Sequence, residues 1–296
     1  MKDKFKIFVL LLFVLSVSAI LLANTTRDLG NEPDLNIKLT SKWIIFYTNI
    51  ERVKNNLAPI QYDPDLGKAA SWQAEYNAKM GTLEHIISVK EMSTPKDRIE
   101  HFGGTCGSCG ENLTVKFAIN SEGIRFTIKN DSKGTFNDYG ASTVKWRNEQ
   151  EMGYSMLDSW MKSPGHRKNI LNAGFIWMGA GIAKGMYSNN KSYFGCQVFN
   201  GYGGLPHNFI KAEYRLTGFE AKKSKISGKD AYIISYNGML LPGVIEVNKE
   251  KELKPYALEK KDNKLVFIKS TPVSGELFAA LYDKEHDILY PVMLLK

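Results

Sequence analysis

Four short segments of this sequence stand out, and the first three carry side chains that could do chemistry. The first three hold imidazoles and a carboxylate, which can ligate divalent cations or exchange protons near neutral pH. No Ser or Cys lies in a recognised nucleophile motif, so a hydrolytic site would use activated water rather than a covalent intermediate. The segments are Leu83-Glu84-His85, Cys109-Gly110-Glu111-Asn112-Leu113, Ser163-Pro164-Gly165-His166-Arg167 and Met178-Gly179-Ala180-Gly181-Ile182-Ala183.

The cysteines leave several alternatives open. Cys106 and Cys109 form a CxxC spacing just before Glu111, and Cys196 stands far along the chain. A local disulfide, free thiols and half of a metal site all fit this spacing, and one loop cysteine could instead bridge to Cys196. A disulfide is the default for an exported protein, and no second cysteine pair at zinc-finger spacing completes a metal site.

Predicted helices flank the four segments. Apolar residues recur at three- and four-residue steps from Ser41, which predicts a first helix. Asp63-Pro64-Asp65 predicts the start of a second helix, and Gly81 predicts its end. A third helix is predicted over Ser142–Met161, and Ser163-Pro164 starts a short fourth one.

Loops and strands are predicted between and after these helices. The stretch up to about Gly110 reads as loop, and alternation over residues 124–128 followed by a turn predicts a strand or hairpin. Trp177–Ala183 and Tyr193–Phe199 predict two strands joined by a turn. After Pro206 the pattern predicts a separate small β-sandwich or barrel, with strands at Ala231–Ser235, Val244–Val247, Leu265–Ile268, Leu277–Leu281 and Leu289–Leu294.

The order and the amino-acid sequences of the four segments resemble those of the CAP superfamily, which comprises the cysteine-rich secretory, antigen 5 and pathogenesis-related proteins. The bacterial SCP-like branch is the most similar. The resemblance covers roughly residues 41–203, and a CAP-like domain is predicted over 41–206. The resemblance implies an α+β fold, a CAP-like α-β-α sandwich with a central cleft, followed here by a small all-β, sandwich-like domain over 210–296. Glu111 and His166 are 55 residues apart, more than the family's ordinary spacing, which indicates an insertion around 114–140.

The resemblance also implies the site. The family's cleft holds two histidines and usually two acids; His85 and His166 match the histidines and Glu111 matches the first acid. Ser163 stands where the second acid is expected. Three acids of the preceding predicted helix are guesses for its replacement: Asp158, Glu149 and Glu151.

Each of these residues has a structural alternative. His101 lies in the same loop as His85 and could take its place. Glu111 could be a buried carboxylate that ties loop amides or an imidazole in place. His286, beside Glu285 in the last domain, is interpreted as part of a surface loop. The other polar motif residues are explained more simply as helix caps, loop-holding hydrogen bonders or surface groups: Ser163, Asn112, Asn169 and Arg167.

Two functions from different classes follow from the implied cleft. The first is a binding protein whose cleft takes a ligand, such as a lipid, cell-wall or surface component, or a divalent cation such as Zn²⁺ on His85 and His166. The alternative is a metal-dependent, peptidase-like hydrolase that uses His85, Glu111 and His166 with activated water. The sequence does not decide whether the protein is an enzyme, and it predicts no cofactor other than such a cation.

The N-terminus and the charge predict the compartment. Lys2, Lys4 and Lys6 precede an apolar run from Ile7 to Ala23, which is typical of a signal peptide or an uncleaved membrane anchor over 1–23. Residues 24–40 read as a polar linker. The protein is therefore expected to be exported, secreted or envelope-associated, with membrane contact only through this segment if it is uncleaved. The net charge is +8, but the lysines are scattered and no recognition motif is present, so nucleic-acid binding is not expected.

Overall fold

The computed structural model describes most of the chain from residue 32 onward. The described ranges are residues 25–27, 32–120, 126–128, 136–138, 145–201, 216, 218–256, 258–261, 264–269 and 273–295. The predicted signal segment, parts of the predicted linker and insertion, and the predicted break after Gly201 lie outside them. The chain divides into two compact units, residues 1–35 with 117–148 and residues 36–116 with 149–296.

The helices, numbered along the chain, are α1 (Ile37–Lys54), α2 (Pro64–Met80), α3 (Pro95–His101), α4 (Glu149–Lys162) and α5 (Pro164–Ile170). The strands before the last domain are β1 (Thr25–Arg27), β2 (Gln61–Tyr62), β3 (Ser108–Phe117), β4 (Ile119–Asn120), β5 (Phe126–Ile128), β6 (Phe136–Asp138), β7 (Lys145–Trp146), β8 (Phe175–Tyr187) and β9 (Asn190–Gly201). Within the described ranges, no helix is both long enough and apolar enough to cross a membrane.

The first unit contains short antiparallel strands. β5 pairs with β6, which agrees with the predicted hairpin, and β4 pairs with β7. β1 pairs with the other edge of β6, with Thr26 opposite Asn137. Thr25–Arg27 thus forms a short strand within the predicted linker. The sequence did not indicate this strand, because backbone pairing to a distant strand leaves no apolar signal in so short a segment.

The second unit has the predicted three-layer sandwich at its centre. A sheet of order β2-β8-β9-β3 forms the middle layer. Gly181 and its cross-strand partner Cys196 lie on one face, and an added Cβ on Gly181 would overlap the α2 backbone at Ala70 and Ser71. Gly195 lies on the opposite face, where an added Cβ would meet Met156 of α4. α2 therefore covers one face of the sheet, and α4 with its neighbour α1 covers the other.

Local capping explains where the two long helices begin. The Asn36 side chain accepts a hydrogen bond from the Leu39 amide, so α1 begins at Ile37 rather than at the predicted Ser41. The Asp63 side chain caps α2 by accepting hydrogen bonds from the amides of Asp65 and Leu66. Gly81 ends the helix with a φ of 68°.

Two elements replace parts of the predicted loop before Gly110. α3 begins with a capping box, in which Thr94 and Asp97 each accept from the other's backbone amide. β3 begins at Ser108 and runs through the Gly-Glu-Asn segment. α4 begins at Glu149, later than the predicted Ser142, because Lys145–Trp146 is a strand.

The last domain is all-β, as predicted. Two four-stranded antiparallel sheets, ordered β10-β11-β15-β14 and β13-β12-β16-β17, share one apolar core. Five of the strands were predicted and three, β10, β13 and β14, were not, because their apolar residues are few. The strands are β10 (Phe219–Ile226), β11 (Lys229–Tyr236), β12 (Leu241–Val247), β13 (Leu253–Tyr256), β14 (Glu259–Lys261), β15 (Lys264–Ile268), β16 (Glu276–Asp283) and β17 (Ile288–Leu294).

The second sheet of this domain packs against α1 within the same compact unit. Lys42 Nζ lies 2.6 Å from Asp287 Oδ2. The Tyr62 amide donates to the Tyr290 hydroxyl at 3.2 Å. The all-β domain is therefore held to the helical layer by polar contacts as well as by packing.

Candidate functional site

His85 and Glu111 are hydrogen-bonded partners. His85 Nδ1 lies 2.8 Å from Glu111 Oε1, with 46% of the His85 side chain exposed but only 1% of the Glu111 side chain. The carboxylate is thus a buried support beneath an imidazole that faces solvent. The family resemblance alone implies that these two residues share a cleft. The structure brings them into direct contact.

Arg98 compensates the buried charge of Glu111. Its Nη2 donates to Glu111 Oε2 at 2.8 Å and to the His85 carbonyl at 3.1 Å, and its Nη1 donates to the Met92 carbonyl at 3.0 Å. The Arg98 side chain is 1% exposed. Sequence analysis missed this residue, although the capping box from Thr94 could have revealed the helix that carries it.

Cys196 completes the surroundings of Glu111. Its Sγ donates to Glu111 Oε2 at 3.8 Å, and burial raises the pKa of the thiol well above its usual value, with the Glu111 charge acting in the same direction. Cys106 and Cys109 form the local disulfide, so the alternative of a bridge to Cys196 is not the one adopted. The Glu111 carboxylate therefore contacts the side chains of Arg98, His85 and Cys196 at the same time.

His166 lies in the first turn of α5. Burial lowers the pKa of His166 below its ordinary value, and the electrostatic effect of His85 acts in the same direction. Both effects favour the neutral imidazole of His166.

A chain of amide side chains holds the backbone of this segment. Asn112 Nδ2 donates to the His166 carbonyl at 3.1 Å and to Gln197 Oε1 at 3.0 Å, and Asn169 donates to Asn112 Oδ1 at 2.9 Å. Gln197 in turn donates to Thr48 Oγ1 at 2.8 Å. Asn112 and Asn169 thus hold loops and helices together, as the sequence suggested, whereas Gln197 and Thr48 were not singled out.

The loop that carries His85 is fastened to α2. Gln73 Nε2 donates to the Glu84 carbonyl at 2.7 Å, and Asn77 Oδ1 accepts from the Glu84 amide at 3.5 Å. Gln73 and Asn77 are buried, so the backbone before His85 has a fixed path. Polar residues on the buried face of a helix were the signal that sequence analysis overlooked.

The guesses for a second acid have other partners. Asp158 Oδ2 lies 2.6 Å from Lys162 Nζ, and Glu149 Oε1 accepts from the Asn36 amide at 3.0 Å. Ser163 is the N-cap residue of α5 but makes no side-chain capping bond. His101 is exposed at the end of α3, with its ring against Phe102 at 5.1 Å.

Three potential metal ligands lie together in the last domain rather than around His85. Among the described residues, Asp283, Glu285 and His286 place ligand atoms within 4.8 Å of one another, and His85, Glu111 and His166 do not form such a group. His286 Nδ1 lies 2.9 Å from Asp283 Oδ2, and its side chain is 19% exposed. His286 lies in a surface turn, as the sequence indicated, although its own ring is mostly covered.

The sequence matches one family model and two curated bacterial proteins. The family model described as the cysteine-rich secretory protein family (CAP) matches residues 45–199. The uncharacterized protein YkwD of Bacillus subtilis is 26% identical over 162 residues, which cover 55% of this chain and 49% of that protein. The uncharacterized membrane protein YlbC of the same species is 24% identical over 165 residues, 55% of this chain and 38% of that protein. The chain thus spans half or less of the length of these relatives.

Solved structures of bacterial proteins are similar over a comparable share of the chain. An extracellular protein with an SCP domain from Bacillus anthracis is 22% identical, with a TM-score of 0.36 over 56% of this chain and 41% of that one. A cysteine-rich secretory protein from Staphylococcus aureus is 17% identical, with a TM-score of 0.35 over 57% and 40%. An outer surface protein from Borrelia burgdorferi is 17% identical, with a TM-score of 0.38 over 58% and 99%.

Proposed function

Because the chain belongs to the cysteine-rich secretory protein (CAP) family, we propose that it is an exported binding protein whose cleft holds a divalent cation between His85 and His166. The observation that carries this proposal is the 2.8 Å hydrogen bond from His85 Nδ1 to the buried Glu111 carboxylate. It assigns different tasks to His85 and Glu111.

Glu111 acts as a support for the ligand rather than as a ligand. A carboxylate that accepts from Nδ1–H fixes the imidazole tautomer and leaves Nε2 as the lone-pair nitrogen. Glu111 itself is 1% exposed and already accepts from Arg98. Its Oε1 therefore orients His85, and its Oε2 pairs with Arg98.

The donor set suits a borderline cation such as Zn²⁺. Neutral imidazole nitrogens are good ligands for this class of ion, and the lowered pKa of His166 favours its neutral form. With two protein ligands, water or a bound molecule would fill the remaining coordination positions. A bound Zn²⁺ would supply Lewis acidity there.

Export is the second part of the proposal. It rests on the three lysines and the apolar run from Ile7 to Ala23. The ligand that reaches the cation from outside the cell is proposed to be a lipid, a cell-wall component or another surface component. The metal-dependent hydrolase stays a prediction, because no specific contact in the cleft favours turnover over binding.

Calorimetry of the purified protein with Zn²⁺ tests the cation site. We expect one equivalent to bind the wild type and the affinity to fall at least tenfold in His85→Ala and in His166→Ala. His286→Ala and His101→Ala are matched controls and should leave this binding unchanged. Equal affinity of the wild type and a folded double variant lacking both cleft histidines would overturn the proposal, and loss only in His286→Ala would move the site to the last domain.

A further inference from the structure

A cavity of about 470 Å³ lies where α1, α2 and the turn between β16 and β17 meet. Its volume is within the range of roughly 300–1,000 Å³ that is typical of small-molecule sites, which occur preferentially where domains join. The apolar part of its wall is formed by Ile37, Ile45, Pro64, Ala180 and Ile288.

The charged side chains that line the cavity are all lysines. Lys38, Lys42 and Lys68 line it beside His286, and no Asp or Glu does. Lys42 is paired with Asp287 at 2.6 Å and Lys68 with Asp65 at 2.8 Å.

Lys38 differs from the other two lysines. Within the described part of the chain it has no ion-pair partner, and it is exposed at the start of α1. One positive charge at the mouth of the cavity is therefore available to a ligand.

Tyr62 and His286 give the cavity a defined shape. Their rings meet edge to face at 5.4 Å, and Asp283 holds the other side of the imidazole at 2.9 Å. An added Cβ on Gly67 would overlap the Tyr62 hydroxyl, so the glycine makes room for that ring. The wall is built from side chains that are already held in place, which lowers the entropic cost of binding.

The cavity is a property of this chain rather than of the family match. Ile37, Lys38, Lys42, His286 and Ile288 all lie outside residues 45–199, the part that the family model covers. The site forms only because the all-β domain packs on α1, and it shares no residue with the proposed cation site.

We propose that this cavity binds an anionic amphiphile, a molecule with one carboxylate or phosphate group on an apolar body. The anionic group lies at Lys38, and the apolar body packs against Ile45 and Ile288. This assignment places the anionic group beside the unpaired Lys38 charge and the apolar body of the ligand against the apolar wall of the cavity.

Decanoate is the probe for the first experiment, because its chain is short enough to fit and it can be used below its micelle concentration. Calorimetry on the full chain should show saturable binding of decanoate and of decyl phosphate. Neutral decanol should bind at least fivefold more weakly, and decyltrimethylammonium should not compete. A preference between the two anions would indicate which head group the site takes.

Variants locate the binding. Lys38→Glu should weaken decanoate binding at least fivefold and leave decanol unchanged, whereas Lys79→Glu, an exposed lysine of α2 outside the cavity, is the matched control. Ser71→Phe, which fills the cavity from α2, should abolish binding of both probes. Melting temperatures of all three variants verify that they fold.

Several outcomes would overturn the proposal. These are no saturable binding to the folded wild type, equal binding of decanoate and decanol, or equal effects of Lys38→Glu and Lys79→Glu. A variant with both His85 and His166 replaced by Ala should still bind decanoate with unchanged affinity, so that failure of the cation site and failure of this site are told apart.

Discussion

Glu111 is the residue on which the candidate site depends. Its carboxylate is in contact with a guanidinium, an imidazole and a thiol, and its side chain is almost fully covered. A buried charge of this kind is tolerated only with a partner, because its desolvation is costly. Arg98 is therefore required for the geometry of His85 although it lies beneath the surface.

Replacement of Arg98 by Met should destabilise the fold by about 3–5 kcal/mol, since it leaves the Glu111 charge buried and unpaired. Urea unfolding of the wild type and of Arg98→Met measures this loss. The double variant Arg98→Met with Glu111→Gln should recover part of the stability, because the uncompensated charge is gone. A double variant no more stable than Arg98→Met alone would contradict this account.

His166 should make stability depend on pH. Its pKa is lower in the folded protein than the ordinary value of 6.5, so the unfolded chain takes up a proton first as the pH falls. The wild type should therefore lose stability relative to His166→Gln as the pH is lowered from 7 to 5. Above pH 7 the difference between the two should be constant. Urea unfolding across this range measures it, with His101→Gln as the control.

The sequence indicates candidate site residues but not the contacts that they make. His85, Glu111 and His166 stand in recognisable strings, so family resemblance brings them together. Arg98 stands in no such string, and only tertiary folding sets it against Glu111. The same is true of Cys196, whose neighbours along the chain do not indicate that its thiol faces a carboxylate.

At the scale of elements, α2 lies in close contact with β8. Gly179 and Gly181 alternate along β8, and an added Cβ on either would overlap the α2 backbone. The absence of a side chain at these two positions lets the helix lie directly on the strand.

Gly181→Ala should destabilise the protein by about 3 kcal/mol, because the new methyl group forces α2 away from the sheet. Gly165→Ala is the matched control: Gly165 lies in α5 with no heavy atom within 4 Å of the added Cβ. There alanine should be neutral or should stabilise by up to ~1 kcal/mol through its higher helix propensity. Thermal melts of both variants compare the two effects.

Helices and strands were predictable where an apolar sequence pattern extends over many residues. α1, α2, β8 and β9 carry such patterns and agree with their predictions within a few residues. α3 spans only seven residues, too few for a period, and it was assigned to a loop. β3 was partly missed because its pairing with β9 comes from residues distant along the chain.

At the scale of the whole molecule, the all-β domain and the helical layer belong to one compact unit. Lys54 Nζ lies 2.9 Å from Glu276 Oε2, in addition to the contacts of Lys42 and Tyr62. Surface pairs of this kind contribute little individually, so the packing of β17 on α1 must provide most of the cohesion.

Leu277→Ala tests whether the two parts unfold together. Leu277 is fully buried between the two sheets of the last domain, and its truncation should cost about 3 kcal/mol. All five tryptophans lie before residue 178, so tryptophan fluorescence reports on the other part alone. The fluorescence midpoint in urea should fall as far as the circular dichroism midpoint; an unchanged fluorescence midpoint would show that the domain unfolds independently.

The docking of this domain could not be predicted from sequence. Short alternating strands indicate a β-sandwich, but they do not indicate which surface it covers. The cavity beside His286 depends on that docking, because its wall combines residues of α1 with residues near β17. The sequence around His286, a loop histidine with acidic neighbours, therefore does not indicate that its ring will be mostly covered.

The complete burial of Cys196 imposes an order of events on folding in an oxidising medium. Three cysteines can form three different pairs, yet only Cys106 and Cys109 are paired in the native chain. If β9 packs into the core first, its thiol is out of reach and an oxidant finds one correct pair. If oxidation comes first, Cys196 competes as a nucleophile and a mispaired chain results. Burial of Cys196 thus favours the correct disulfide. The fraction of correctly paired chain depends on the rate of β9 packing relative to the rate of thiol oxidation.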